Sequence, residues 1–355
     1  MGVEQLFSAP QYSMPRATKR EVLVEELAAL TRRHCERCSA YARIVQVLHP
    51  AQDFSSLETL PFLPASLFKT HRLTSVEPAK VIKTLTSSGT TGQAVSRIEL
   101  DAETADLQSR ALNAILRDLV GPRRLPMLIV DSKATISNRA EFSARGAGIA
   151  GMMPLGRDHL FVLDEGMALD RSALKAFLAK HSSQPILIFG FTFMVWKYLY
   201  QAVSDGEFDL STAVLIHSGG WKALADQAVD NGEYKHRLRR RLGLGRIHNF
   251  YGMVEQTGSI FVEREDGLFY PSNFSEVLVR DVTTGEVLSQ GEPGVLQVFS
   301  VLPRSYPGHS ILTEDIGTIH DPATGAFSVA GRIPSAELRG CSDTHAAVVQ
   351  ASQVQ

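Results

Sequence analysis

Cysteine is scarce in this chain. Three residues among 355 cannot build a disulfide framework, so the fold must stand on its apolar core, and a reducing compartment is expected. An excess of charge of one sign is lacking too: 36 Lys and Arg against 38 Asp and Glu leave a formal net charge of −2, and no global field recruits a nucleic acid. Long hydrophobic runs are missing. The longest, Pro185 to Trp196, is too short to span a bilayer and meets Lys197 at once, so no membrane insertion is expected. The N-terminus has Leu6 where a myristoylation signal wants Ser or Thr, and no basic start with an apolar h-region, which makes the cytoplasm the expected location. What is present is an ordinary globular composition, 44% hydrophobic and 21% charged, long enough for one large domain or two smaller ones.

Leu23, Leu27, Leu30, His34, Cys38, Tyr41, Val45 and Leu48 recur at three- and four-residue spacing. They predict one long helix from Thr18, with Thr18 and Glu21 spaced as a capping box and His49-Pro50 as the stop. Cys35 and Cys38 beside His34 have the spacing of a zinc or redox site. His34 and Cys38 fall on the buried stripe, however, and no second ligand pair is visible, so core packing is the expectation. After Thr84 the chain alternates between strand-like and helix-like stretches. Asp101 is placed to cap a helix with Leu107, Ala111, Ile115 and Leu119 on one face, and Gly121-Pro122 stops it. The β-type runs Met127 to Val130, Ile186 to Phe189 and Val214 to Ile216 are separated by helical segments such as Arg171 to Lys180, which argues for a covered, mostly parallel sheet. Beyond Tyr270, short alternating runs such as Glu276 to Val279 and Val295 to Val301 predict a smaller antiparallel β unit.

Five clusters carry chemistry. Thr86-Ser87-Ser88-Gly89-Thr90-Thr91-Gly92 concentrates hydroxyls and glycines, a composition that suits either phosphate oxygens or a flexible surface loop. It lacks the lysine of a Walker loop. His217-Ser218-Gly219-Gly220-Trp221-Lys222 follows a predicted strand, where ligands bind in open α/β sheets and a Gly-Gly turn admits a flat base. Asn249 to Gly258 places the aromatic ring of Tyr251, next to Gly252, four residues before Glu255, which suits either a carboxylate that binds Mg²⁺ or the surface Glu of a turn. Leu312-Thr313-Glu314-Asp315-Ile316-Gly317 is the fourth, and Gly331-Arg332 with Arg339-Gly340-Cys341 the fifth.

In this order and spacing the clusters resemble the adenylate-forming (ANL) superfamily of acyl-CoA synthetases, peptide-synthetase adenylation domains and luciferases. Closer still is the resemblance to the bacterial LuxE-type acyl-protein synthetases, the family of fatty acid:protein ligases. It is carried by Leu60 to Pro64 with Phe68-Lys69, Ser87 to Gln93 with Ser96-Arg97, His217 to Lys222, Asn249 to Ser259, Ser305 to His309 and Arg339 to Thr344. The resemblance implies an α/β adenylate-forming large-domain fold with covered, mostly parallel sheets and a small antiparallel unit, the mobile C-terminal domain largely absent. It implies an adenylation core over residues 1–270, a small β subdomain over 271–330 and a short tail over 331–355.

As an enzyme of this kind the chain would use ATP and Mg²⁺ to convert a carboxylic acid, by family a fatty acid, into acyl-AMP. Ser87 to Gly92 would hold the outer phosphates, and Gly219 and Gly220 would line the adenine, with Tyr251 stacked on it. Glu255 would hold Mg²⁺, while Asp315 and Arg332 would grip the ribose hydroxyls. Where relatives continue the loop with Pro-Lys, this chain has Ala94-Val95, so the cation for the leaving pyrophosphate would be Arg97 or Lys222. Met253-Val254 stands where a Thr usually precedes the Glu. Few residues follow Arg332, so the usual catalytic lysine of a C-terminal domain is not expected. The resemblance makes Cys341 the acyl acceptor, its thiolate favoured by Arg339, with a partner acyl reductase receiving the thioester. A ligase that acylates coenzyme A or a carrier protein, and an inactive adenylate-binding subunit, are the alternatives.

Overall fold

The computed structural model describes residues 2–87, 95–137 and 144–333, with the backbone alone at Ala144, Lys222, Ala223 and Ala225. The chain divides into two compact units. One is made of the residues up to Ile115 together with those from Gly252 on, and the other is Leu116–Tyr251. The expected divisions at residues 270 and 330 fall within the antiparallel sheet of the first unit.

The first unit begins with helices α1 (Val3–Ser8), α2 (Arg16–Arg37) and α3 (Ser39–Leu48). The single long helix read from the sequence is therefore corrected to two, broken at Cys38 (φ −127°, ψ 96°). Neither Pro nor Gly marks the break, and it loses few hydrogen bonds: Cys38 N–H still donates to His34 O and Ala42 N–H to Cys38 O. The start is corrected as well. Pro15 presets the backbone ahead of Arg16 and its carbonyl accepts from Lys19 N–H, so Thr18 lies inside the first turn and forms no capping box. Cys38 is buried and both ring nitrogens of His34 are engaged, Nδ1 with Ser75 Oγ at 2.7 Å and Nε2 with the Pro303 carbonyl at 3.1 Å. α2 is anchored by the fully buried Glu276, which meets Arg16 at 3.1 Å and Lys19 at 3.4 Å. Burial pushes this carboxyl up, but the two cations outweigh it and hold the group below its ordinary range.

Next come β1 (Leu63–Pro64), α4 (Leu67–Thr70), and an antiparallel hairpin of β2 (Lys83–Thr86) and β3 (Arg97–Leu100). α5 (Ala102–Val120) follows, capped as expected by Asp101, whose carboxylate accepts from Thr104 N–H at 2.8 Å. Leu107, Ala111, Ile115 and Leu119 are buried along it.

The second unit holds β4 (Leu125–Ser132), α6 (Ala144–Met152), β5 (Gly156–Leu163), α7 (Arg171–Lys180), β6 (Ile186–Phe191), β7 (Ala213–Ser218), α8 (Asn231–Leu242) and β8 (Arg246–Tyr251). Its sheet has the order β5-β4-β6-β7-β8 and every pairing is parallel. All eight residues of β4 are buried, as a strand covered on both faces requires. β5 does not show in the sequence because Arg157, Asp158 and His159 follow its first residue, and apart from Gly156 only Val162 and Leu163 at its far end are buried.

The chain then returns to the first unit as β9 (Phe261–Glu263), β10 (Phe269–Tyr270), β11 (Ser275–Arg280), β12 (Gly294–Ser300), β13 (Ser310–Asp321) and β14 (Ala326–Arg332). These form an antiparallel sheet of order β9-β10-β14-β13-β12-β11, with β1 added parallel to β13. The expected small antiparallel unit is present. Among the described residues no helix is long and apolar enough to cross a membrane.

Candidate active site

The hydroxyl-rich loop springs from the β2–β3 hairpin. Ser88, Gly89, Thr90, Thr91 and Gly92 lie outside the described residues, as does Cys341, but the base of the loop is described. There Thr86 pairs with Arg97, Ser87 N–H donates to the Ser96 carbonyl at 3.1 Å, and Ser96 N–H donates to Ser87 Oγ at 3.0 Å. Arg97 is exposed between the buried Ser96 and Ile98.

Glu255 occupies a 3-10 turn, Val254–Gln256, and is 6% exposed. Burial pushes its carboxyl above the ordinary carboxylate range. The Ser96 hydroxyl and the Lys69 charge draw it back, and the Glu314 charge adds to the rise. Ser96 Oγ is itself fully buried and makes no well-formed hydrogen bond. The turn is held rigidly, since Gln256 Nε2 donates to the Val298 carbonyl on β12 at 2.9 Å. Gly258, at φ +86°, approaches α5 so closely that a Cβ would stand 2.7 Å from Gln108 Cα and carbonyl oxygen. On its other side Glu255 meets the Ser305-to-His309 turn. A Cβ on Gly308 would lie 2.9 Å from Tyr306 Cδ2, and closer still to Tyr306 Cε2 and the Glu255 carbonyl. Tyr306 is fully buried, with its hydroxyl accepting from Gln108 Nε2 at 3.3 Å.

Asp315 on β13 and Arg332 on β14 are direct cross-strand partners. Arg332 Nε stands 3.7 Å from Asp315 Oδ1, and the guanidinium is 77% exposed, so this pair is open to a ligand diol rather than locked to itself. Asp315 N–H donates to Thr313 Oγ1 at 3.1 Å, which fixes the local backbone.

The remaining expected positions belong to the second unit, at the carboxyl ends of its strands, where doubly wound sheets bind ligands. Ser218 pairs in register with Phe250, and its hydroxyl donates to the Phe250 carbonyl at 2.8 Å. Gly219-Gly220 and Tyr251 therefore leave two adjacent strands at the same level. Gly219 has φ +83°, and no atom stands within 4 Å of a Cβ on Gly220. Of Lys222, at the start of a 3-10 turn, only the backbone is described, and Gly252 is the first residue of the returning first unit. His217 points inward. It is fully buried, its Nδ1 is 3.0 Å from Thr192 Oγ1, and burial with the Lys235 and His248 charges lowers its pKa to about 3. Met194, Val195 and Trp196 lie in the hydrophobic core of this unit, and Phe189 is buried on β6.

Three features of the site do not show in the sequence: the Lys69 charge that acts on Glu255, Ser96 as its buried neighbour, and the packing of Gly308 on its backbone. Their only signal is that Lys69, Ser96 and Gly308 belong to the stretches Phe68-Lys69, Ser96-Arg97 and Ser305 to His309, which carry the family resemblance without assigning roles.

The fold is that of an adenylate-forming ligase. A crystal structure of 2-hydroxyisobutyryl-CoA ligase, in the postadenylation state with 2-HIB-AMP, superposes with a TM-score of 0.64 at 15% identity, covering 90% of this chain and 69% of that one. More narrowly, the model of the acyl-protein synthetase family, LuxE, matches residues 3–349, and the chain belongs to that family of ligases. Two relatives are named long-chain-fatty-acid–luciferin-component ligases. The one from Aliivibrio fischeri is 22% identical over 332 residues, 89% of this chain and 86% of its own length. That from Vibrio harveyi is 24% identical over 337 residues, 87% of this chain and 83% of its own.

Proposed function

We propose that the protein activates a carboxylic acid with ATP, forming acyl-AMP and pyrophosphate, and then moves the acyl group to the thiol of its own Cys341. The observation that carries the first half is the buried Glu255 at the base of the hydroxyl-rich loop, in the same unit as the open Asp315–Arg332 pair. This deeply buried carboxyl, with a Ser96 hydroxyl beside it that makes no well-formed hydrogen bond, is a hard-oxygen donor set that a cation would complete. The site fits Mg²⁺, a hard ion commonly bound through one or two carboxylates together with substrate phosphates. Glu255 would hold it, and the ion would neutralise phosphate charge during transfer.

The protein's own groups then divide the work. Backbone N–H groups and hydroxyls from Ser87 to Gly92 hold the outer phosphates, and Asp315 with Arg332 fixes the ribose. Gly219, Gly220 and Tyr251 take the adenine. The acid's carboxylate oxygen attacks the α-phosphorus as the bond to the bridging oxygen of pyrophosphate breaks. In the second step the Cys341 thiolate attacks the acyl carbonyl, the C–O bond to AMP breaks, and a thioester remains for a partner acyl reductase. The names of the two bacterial relatives favour a long-chain fatty acid as the substrate.

ATP–pyrophosphate exchange across fatty and aromatic acids, followed by intact-protein mass, tests both halves. Exchange together with an acyl mass gain that Cys341→Ala abolishes is the expected result. Exchange with the mass gain retained in Cys341→Ala overturns self-acylation at this residue, and turnover that instead requires coenzyme A or a carrier protein replaces it with a diffusible acceptor. Absence of exchange with every acid overturns the adenylation itself.

A further inference from the structure

Adenylation leaves a pyrophosphate carrying several negative charges, and in this chain Ala94-Val95 follows the loop where a cation would be useful. Arg97 is on the hairpin but alternates outward, exposed between buried neighbours. Another cation lies on a segment that three independent ties hold near the loop base. Lys69 lies in the short helix α4, one residue before its end. Ahead of it, Pro64 pairs with Leu312 on β13, and Ala65 N–H donates to the Leu312 carbonyl at 2.9 Å. Just after it, Arg72 forms a two-pronged bond to Glu99 on β3, Nε to Oε1 at 2.9 Å and Nη2 to Oε2 at 3.0 Å. Beside it, the Phe68 ring meets the Tyr306 ring edge-on at 6.3 Å, and Tyr306 packs under Gly308 against Glu255.

Lys69 is thereby tied both to β3, which begins at the loop base, and to the strand that carries Asp315. It is exposed, its charge is felt at Glu255, and it makes no ion pair within 4 Å among the described residues. A cation on an anchored segment, uncommitted and acting on the buried carboxyl, is placed to receive an anion. We infer that Lys69 is a catalytic residue that grips the outer phosphates of ATP and stabilises the pyrophosphate as it departs, the part for which the loop itself carries no lysine. This rests on the proposed adenylation. The ammonium donates hydrogen bonds to phosphate oxygens and keeps its proton throughout, so the step adds no bond of its own and takes nothing from the balance of the transfer.

The test compares ATP with AMP. Isothermal titration of the full-length protein with each nucleotide, in the presence of Mg²⁺, would be run on the wild type and on Lys69→Ala, Lys69→Arg and Arg97→Ala. Removing one charged hydrogen-bonding group lowers affinity by roughly 10-fold or more. The expected result is such a loss for ATP in Lys69→Ala with AMP affinity retained, partial recovery in Lys69→Arg, and a matching rise in the pyrophosphate KM of the exchange reaction. Equal loss of ATP and AMP binding would make Lys69 a positioning residue for Glu255 and overturn the inference, as would unchanged ATP binding in Lys69→Ala or the defect appearing in Arg97→Ala instead. A wild type that fails to bind ATP would overturn the adenylation reading itself, which separates the two failures. Retained AMP binding and an unchanged melting temperature show that Lys69→Ala is folded.

Discussion

Gly308→Ala isolates the packing that holds Glu255 in place. The added methyl changes neither charge nor polarity. Its Cβ would fall 2.9 Å from Tyr306 Cδ2 and nearer still to Tyr306 Cε2 and the Glu255 carbonyl oxygen. Tyr306 cannot swing aside, because its ring is fully buried against Phe68 and its hydroxyl is bonded to Gln108. The strain must pass to the backbone of the 254–256 turn, which Gln256 ties to β12. Overpacking of this kind costs about 1–3 kcal/mol. Displacing a catalytic group by about 1 Å lowers rate by as much as about 10²-fold. Gly308→Ala should therefore lose between 10-fold and 100-fold in kcat of ATP–pyrophosphate exchange, to an order of magnitude, while melting only a few degrees lower. Gly245→Ala, where a Cβ meets nothing within 4 Å, is the control and should keep its exchange rate. Wild-type exchange by Gly308→Ala would refute the claim that this contact positions Glu255.

The empty space around Gly220 gives the opposite expectation for folding: Gly220→Ala should keep the wild-type melting temperature, yet raise the Kd for both ATP and AMP if the adenine lies on that turn. Unchanged nucleotide affinity in this variant would remove Gly220 from the site. A third prediction concerns acid. Burial lowers the pKa of His34 and of His217 to about 3, so the unfolded chain binds two protons that the native chain does not. The stability these neutral rings contribute is complete above pH 6.5 and is lost as pH falls toward 3. At about 1.4 kcal/mol per pH unit for each group, the pair costs roughly 5 kcal/mol between pH 6.5 and 4.5. Urea midpoints at pH 7.5 and 5 should differ strongly, and equal midpoints would refute the assignment.

What the sequence made legible was local. Asp101 caps its helix because a carboxylate ahead of an apolar stripe reaches the third N–H, and the helix Arg171–Lys180 starts and stops where its pattern does. The runs at Met127, Ile186 and Val214 are the centres of β4, β6 and β7, where burial on both faces leaves nothing polar to interrupt them. The break at Cys38 was invisible because the apolar spacing continues across it and no turn residue marks it. β13 and β14 were invisible as strands for another reason: their outer residues, Glu314, Asp315, Gly331 and Arg332, have the composition of a loop.

That second omission bears on function. The family resemblance implies Asp315 and Arg332 as nucleotide contacts from separate short clusters, and only the β13–β14 register makes them neighbours. Lys69, Ser96 and Glu255 lie farther apart along the chain, and each taken alone is an ordinary surface lysine, a small polar residue and a turn glutamate. Their juxtaposition depends on β1 joining β13, on Arg72 reaching Glu99, and on a glycine thin enough to let Tyr306 lie against the Glu255 turn. A motif can name the carboxylate, because its neighbours in sequence are its neighbours in space. It cannot name the cation beside that carboxylate, since Lys69 is brought there through strand pairing, an ion pair and a ring contact. The electrostatics of the site are thus a property of the tertiary fold: Glu255 stays raised by burial, and the uncommitted charge of Lys69 offsets part of that rise. On the inference drawn above, an incoming triphosphate would meet a counter-charge that the fold, rather than the loop motif, carries to the loop base.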